Sequence, residues 1–111
     1  MLKILLLTIL PLFSMMTLAD VGLPFSVKMV TLDSGETRHI KFNVHTGEAW
    51  WSKNTVWKKI KDSEVLSRST YEFNVVSTGS SWRTLRIDKL TGQTWKNSRG
   101  KWVEFTHQKP D

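Results

Sequence analysis

From Phe25 onward, apolar and polar residues alternate in short runs. Phe25, Val27 and Met29 fall on one side of an extended chain, as do Tyr71, Phe73 and Val75, while Ile40, Phe42 and Val44 alternate with His39, Lys41 and Asn43. A period of two places successive side chains on opposite faces of a strand. The pattern predicts strands over about Phe25 to Leu32, Thr37 to Val44 and Glu48 to Ile60, then Tyr71 to Ser77, Trp82 to Lys89 and Gln93 to Phe105. The third run of each set is broken by a turn, near Ser52 to Asn54 and near Asn97 to Gly100, so six strands become eight if both runs divide. No stretch after Asp20 holds a helical period.

The two sets match at an offset of 45 residues. Arg38 falls on Arg83, Thr46 on Thr91, Gly47 on Gly92, Trp50 on Trp95 and Trp57 on Trp102 without a gap, and Ile40, Lys41, Phe42 and Asn43 meet Leu85, Arg86, Ile87 and Asp88. Two of those identities are Trp, a rare residue, which points to an internal duplication with repeats over about 24–62 and 69–107. In NVHTGEAW and DKLTGQTW, an Asn or Asp opens the turn, where its side chain can accept backbone N–H groups. Gly stands where the chain needs a positive φ. The spacing resembles the Asp-box hairpin of secreted β proteins with one extra residue in the turn; the resemblance covers about eight residues per repeat and implies a folding device with no fixed chemistry. The expected fold is all-β, either a small antiparallel barrel or two packed meanders built from two tandem repeats of about 45 residues. Duplication predicts a pseudo-twofold axis. A single repeat could not bury its own apolar face, so the halves should depend on each other. The polar stretch KDSEVLSRST, 61–70, is the expected connector, and 107–111 the tail.

The first residues change the picture of where this domain works. Lys3 precedes an apolar run from Ile4 to Leu18, too short and Pro-interrupted to cross a bilayer, which takes roughly 20 residues. Small residues follow at Thr17 and Ala19. This is the pattern of a cleaved signal peptide over 1–19, leaving one β domain over 20–111, secreted or periplasmic, with no stable membrane insertion. The chain has no Cys, so packing alone must hold it. All six Trp, the one Tyr and four of the five Phe lie beyond the leader and supply the means.

The formal charge is +6, or +5 once Lys3 leaves with the leader. Such a balance favours acidic partners, and export argues against nucleic acid. Nothing in the motifs points to a cofactor, a metal site or a catalytic group: the carboxylates are scattered, and His39, His45 and His107 share no pattern. The Trp residues divide in two. Trp50 with Trp95, and Trp57 with Trp102, are shared between repeats and read first as packing, though Trp57 and Trp102 lie opposite Ile60 and Phe105 by alternation and could form an exposed platform. Trp51 and Trp82 stand where the other repeat has Lys96 and Thr37, residues suited to solvent, and are expected to be exposed contacts. Lys41 and Arg86 are expected at matched outward positions. The predicted contact surface therefore comprises Trp51, Trp82, Lys41, Arg86, Lys96, Trp57 and Trp102.

Two functional classes fit such a surface. One is a non-catalytic module for an acidic or neutral glycan of the envelope or extracellular space, with indoles stacking on sugar C–H faces and cations meeting its charge. The other is a protein-binding protein, an inhibitor, immunity factor or envelope-assembly subunit; an enzyme without a sequence signature stands behind both. Mass spectrometry of the exported form should show a chain beginning at Asp20. A full-length chain in the membrane fraction would refute the signal peptide.

Overall fold

In the computed structural model, residues 22–110 are described, so the predicted signal peptide over 1–19 lies outside them. Eight strands form two four-stranded antiparallel sheets, and neither closes into a barrel. The N-terminal sheet runs in chain order through β1 (Phe25–Thr31), β2 (Thr37–Asn43), β3 (Ala49–Ser52) and β4 (Lys58–Lys59). The C-terminal sheet runs likewise through β5 (Tyr71–Ser77), β6 (Trp82–Asp88), β7 (Thr94–Ser98) and β8 (Lys101–Glu104). No helix occurs among the described residues. Of the two architectures the sequence allows, this is the pair of meanders, with both long runs divided at their turns.

The registers coincide at matched positions. Lys41 faces Trp50 across β2 and β3, as Arg86 faces Trp95 across β6 and β7. Trp50 faces Lys59, as Trp95 faces Glu104. The β3–β4 pairing stops short of its counterpart, leaving Trp57 in a loop where Trp102 lies in β8. In the first hairpin the spacing differs: five residues separate Thr31 from Thr37, but four separate Ser77 from Trp82. That one-residue difference is why the sequence match slips there.

The paired turns are built from the same bonds. Asn43 Oδ1 accepts the amides of His45 and Thr46 at 2.9 and 3.1 Å, and Asp88 Oδ1 accepts those of Leu90 and Thr91 at 2.9 and 3.3 Å. The amide of Gly47 donates to the Asn43 carbonyl and that of Gly92 to the Asp88 carbonyl. Both glycines sit at positive φ, 80° and 82°. The side-chain acceptor closes the turn on amides that would otherwise lack a partner. Asp88 is also buried, which alone would raise its pKa. The Ser69 hydroxyl and the two turn amides outweigh that and hold the carboxyl below its ordinary value.

One core joins the sheets. Ile40, Phe42, Ala49 and Ile60 come from the N-terminal half, and Tyr71, Phe73, Trp95 and Trp102 from the C-terminal half. Phe42 stacks on Phe73 with centroids 4.4 Å apart. The faces that meet are unlike. The N-terminal sheet buries its Ile40 and Phe42 side, whereas the C-terminal sheet buries Thr84, Arg86 and Asp88, which match His39, Lys41 and Asn43 on the opposite side. A twofold axis would bring like faces together, so the expected pseudo-twofold arrangement is not formed. The sheets stack in the same sense, one behind the other.

This stacking leaves the matched turns in different surroundings. A Cβ on Gly47 would lie 2.7 Å from Leu66 Cδ1 and 3.1 Å from the Tyr71 ring, while one on Gly92 would meet nothing within 4 Å. We expect Gly92→Ala to cost about 1–3 kcal/mol from positive φ alone, and Gly47→Ala to cost distinctly more, measured by denaturant unfolding. Equal costs would show that Leu66 and Tyr71 yield freely.

Candidate functional site

The seven residues expected on a contact surface fall in four places. Arg86 and Trp102 are in the core, Trp51 and Trp82 at the seam between the sheets, Lys41 and Trp57 on the outer face of the N-terminal sheet, and Lys96 on the outer face of the C-terminal sheet.

Arg86 is fully buried, which overturns its expected outward position. Its guanidinium carbon lies 4.2 Å from the Trp95 ring centroid and 4.5 Å from that of Trp102, between the two indoles. At these distances the cation interacts with the π density of both rings. Its two Nη groups find acceptors in the other half of the molecule, while the buried Nε has none: Nη1 donates to the Gly47 carbonyl at 2.9 Å, and Nη1 and Nη2 donate to the Asp62 carboxylate at 3.3 and 2.7 Å. Asp62 belongs to the connector that the sequence marked only as polar.

At the matched positions, the N-terminal sheet repeats this cassette without a cover. Lys41 Nζ lies 4.9 Å from the Trp50 centroid and 5.1 Å from that of Trp57. Trp57 is exposed and Trp50 half-buried, whereas Trp95 and Trp102 are buried. The expectation that shared Trp positions are core thus holds in the C-terminal sheet and fails in the other, because only one of the two matched faces is covered. Among the described residues, Lys41 makes no ion pair. Its neighbour Lys59 does: Nζ donates to Glu48 at 2.6 Å, and that bond holds the Glu48 carboxyl below its ordinary value. Along β1 the same face continues as Phe25, Val27 and Met29, each more than half exposed. Phe25 leans on Trp50 with centroids 6.3 Å apart.

Trp51 and Trp82 are half-buried and pack on each other with centroids 6.1 Å apart, which differs from the freestanding pair expected. They come from different sheets and meet because unlike faces stack. Lys58 Nζ lies 5.3 Å over the Trp51 ring. Lys96 is exposed beside Leu85 and Val103, on the side of the molecule away from Lys41. Sequence reasoning missed Trp50, Phe25, Val27 and Met29 as surface. A row of apolar residues in strict alternation signals a face, and its covering is decided elsewhere in the chain.

No family model, curated protein or solved structure matches the chain.

Removing one partner of a buried ion pair strands the other. Arg86→Ala and Asp62→Ala should each cost about 3–5 kcal/mol, whereas Arg86→Met combined with Asp62→Leu should recover much of the loss. Trp95→Ala and Trp102→Ala should each cost about 3–5 kcal/mol, and Trp50→Ala and Trp57→Ala about 1 kcal/mol or less. Equal losses at matched Trp positions would contradict the one-sided cover.

Proposed function

We propose that the protein is an exported, non-catalytic binding protein whose contact surface is the outer face of the N-terminal sheet. The observation that carries this reading is the uncovered cassette of Lys41 between Trp50 and Trp57, continuous with the exposed row Phe25, Val27 and Met29. A contiguous apolar stretch of this kind on a small domain favours a protein surface as its ligand. Tandem duplication explains why the cassette exists at all. Matched registers, turn bonds and glycine angles support that history, and they make the uncovered face a counterpart of one that a protein surface does cover.

A glycan is the second reading, favoured by the cassette itself. Two indoles flanking an ammonium suit a sugar ring bearing a carboxylate or phosphate. An aliphatic row such as Val27 and Met29 adds little to such a ligand, which is why the protein reading leads.

A photo-cross-linking residue at Val27 in the exported protein should give discrete protein adducts that diminish with Trp50→Ala and Lys41→Glu. The same residue at Val65, exposed in the connector outside both sheets, should not share that dependence. A change in Trp fluorescence on titration with a polyuronate, lost at high salt and accompanied by no adduct, would instead favour the glycan.

A further inference from the structure

We propose that a second copy of this chain occupies the open face, with its C-terminal sheet stacked on the N-terminal sheet of the first as the two sheets stack within one molecule. This rests on the reading of that face as a protein contact surface and names its partner.

The internal interface supplies the pattern. There the Ile40 side of one sheet covers the Arg86 cassette of the next, with Ile40, Phe42 and Ile60 as its apolar ground and the Gly47 carbonyl reaching the cation. Stacking in one sense leaves one face of each kind uncovered. The open cassette around Lys41 is the first. The second is the outer side of the C-terminal sheet, where Leu85, Ile87 and Phe105 stand at the positions matched to Ile40, Phe42 and Ile60. Leu85 is 43 % exposed and Phe105 46 %, and Val76 and Val103 extend the apolar ground beside them. The backbone also matches, since Phe105 donates its amide to the Thr94 carbonyl as Ile60 does to Ala49. The turn of Gly92, counterpart of Gly47, has open space beside it. Each end of the molecule therefore carries the complement of the other.

The charges set how tight this contact is. The position matched to Asp62 is His107, so a second copy brings no carboxylate to the cassette at that position. Lys in place of Arg fits that loss. A flexible ammonium on a long stem keeps its hydration at the rim, where a buried guanidinium needs an acid. The two faces also carry mostly like charges, Lys41 and Lys59 on one and Arg83 and Lys96 on the other, where the one carboxylate of the strands, Glu72, is paired with Lys89. Association is therefore weaker than the internal contact and strengthens as salt screens the repulsion, the reverse of a charge-driven glycan. Because unlike faces meet, the contact is heterologous and propagates into open chains or a ring.

Sedimentation of the purified exported protein over a range of concentrations, at low and at high salt, tests this. The expected result is a mass that grows beyond a dimer with concentration and grows further with salt. Met29→Lys blocks one face and Phe105→Lys the other, and both residues are exposed, so each variant should unfold like the parent. Each variant alone should stay monomeric, and a mixture of the two should form a dimer and stop there. A strictly monomeric protein at every concentration overturns the proposal. So does association that survives Phe105→Lys, which would mean like faces meeting about a twofold axis. A monomer whose Val27 cross-links to a different protein would overturn self-stacking and leave the contact reading standing.

Discussion

The fold turns on one buried cation. Arg86 is held between Trp95 and Trp102, and its donors reach out of its own sheet to the Gly47 carbonyl and the Asp62 carboxylate. A guanidinium in a dry interior is tolerable only when its hydrogen-bonding edge is largely met and its faces are packed. Here both Nη groups are met by the other half of the molecule, and Nε is left without an acceptor. The C-terminal sheet therefore has no low-energy state with its Trp face covered by some other apolar surface. Only a surface bearing that carbonyl and that carboxylate at the right distance will serve, which fixes the register between sheets as well as their contact.

The same constraint explains why two sheets of matched register end up in different environments. An interface joining unlike faces satisfies one of each and leaves one of each free, whereas an interface joining like faces could close on itself. Lys41 and Asn43 stay on a wet face while Arg86 and Asp88 go inside. The two turns show the consequence in one atom: Asn43 and Asp88 make the same bonds, but the Asp88 carboxylate also takes the Ser69 hydroxyl from the connector.

What the sequence makes legible is whatever is decided locally. Strand positions, the paired turns and the role of Gly47 and Gly92 follow from alternation and from side chains bonding to their own backbone, and each is found as expected. Burial of a given face is a different matter. In β6, Leu85 and Ile87 alternate with Arg86 just as Ile40 and Phe42 alternate with Lys41, so alternation alone turns Arg86 outward. The structure turns it inward because Asp62, far along the chain and in a stretch that reads as a polar linker, offers the compensation that makes burial possible. Periodicity reports that a strand has two faces, and only tertiary pairing decides which is the core. The expected contact residues scattered for the same reason: Trp51 and Trp82 looked unshared, and so exposed, yet they meet each other across the seam.

Lys at 41 and Arg at 86 are then more than a conservative exchange. Arg is the residue that can be buried with both faces stacked and its edge forked onto a carboxylate, and it occurs where the chain supplies that carboxylate. Lys is the residue that can lie along an indole and still return its charge to water, and it occurs where the chain supplies no acid. With Arg at both positions, the outer cassette would carry a fork with no matching carboxylate to fix it. With Lys at both, the inner one would lose the bidentate contact that fixes the sheets against each other. The difference between a core and a surface is here written in one residue of each cassette, and the surrounding Trp residues can remain identical because an indole accepts either neighbour.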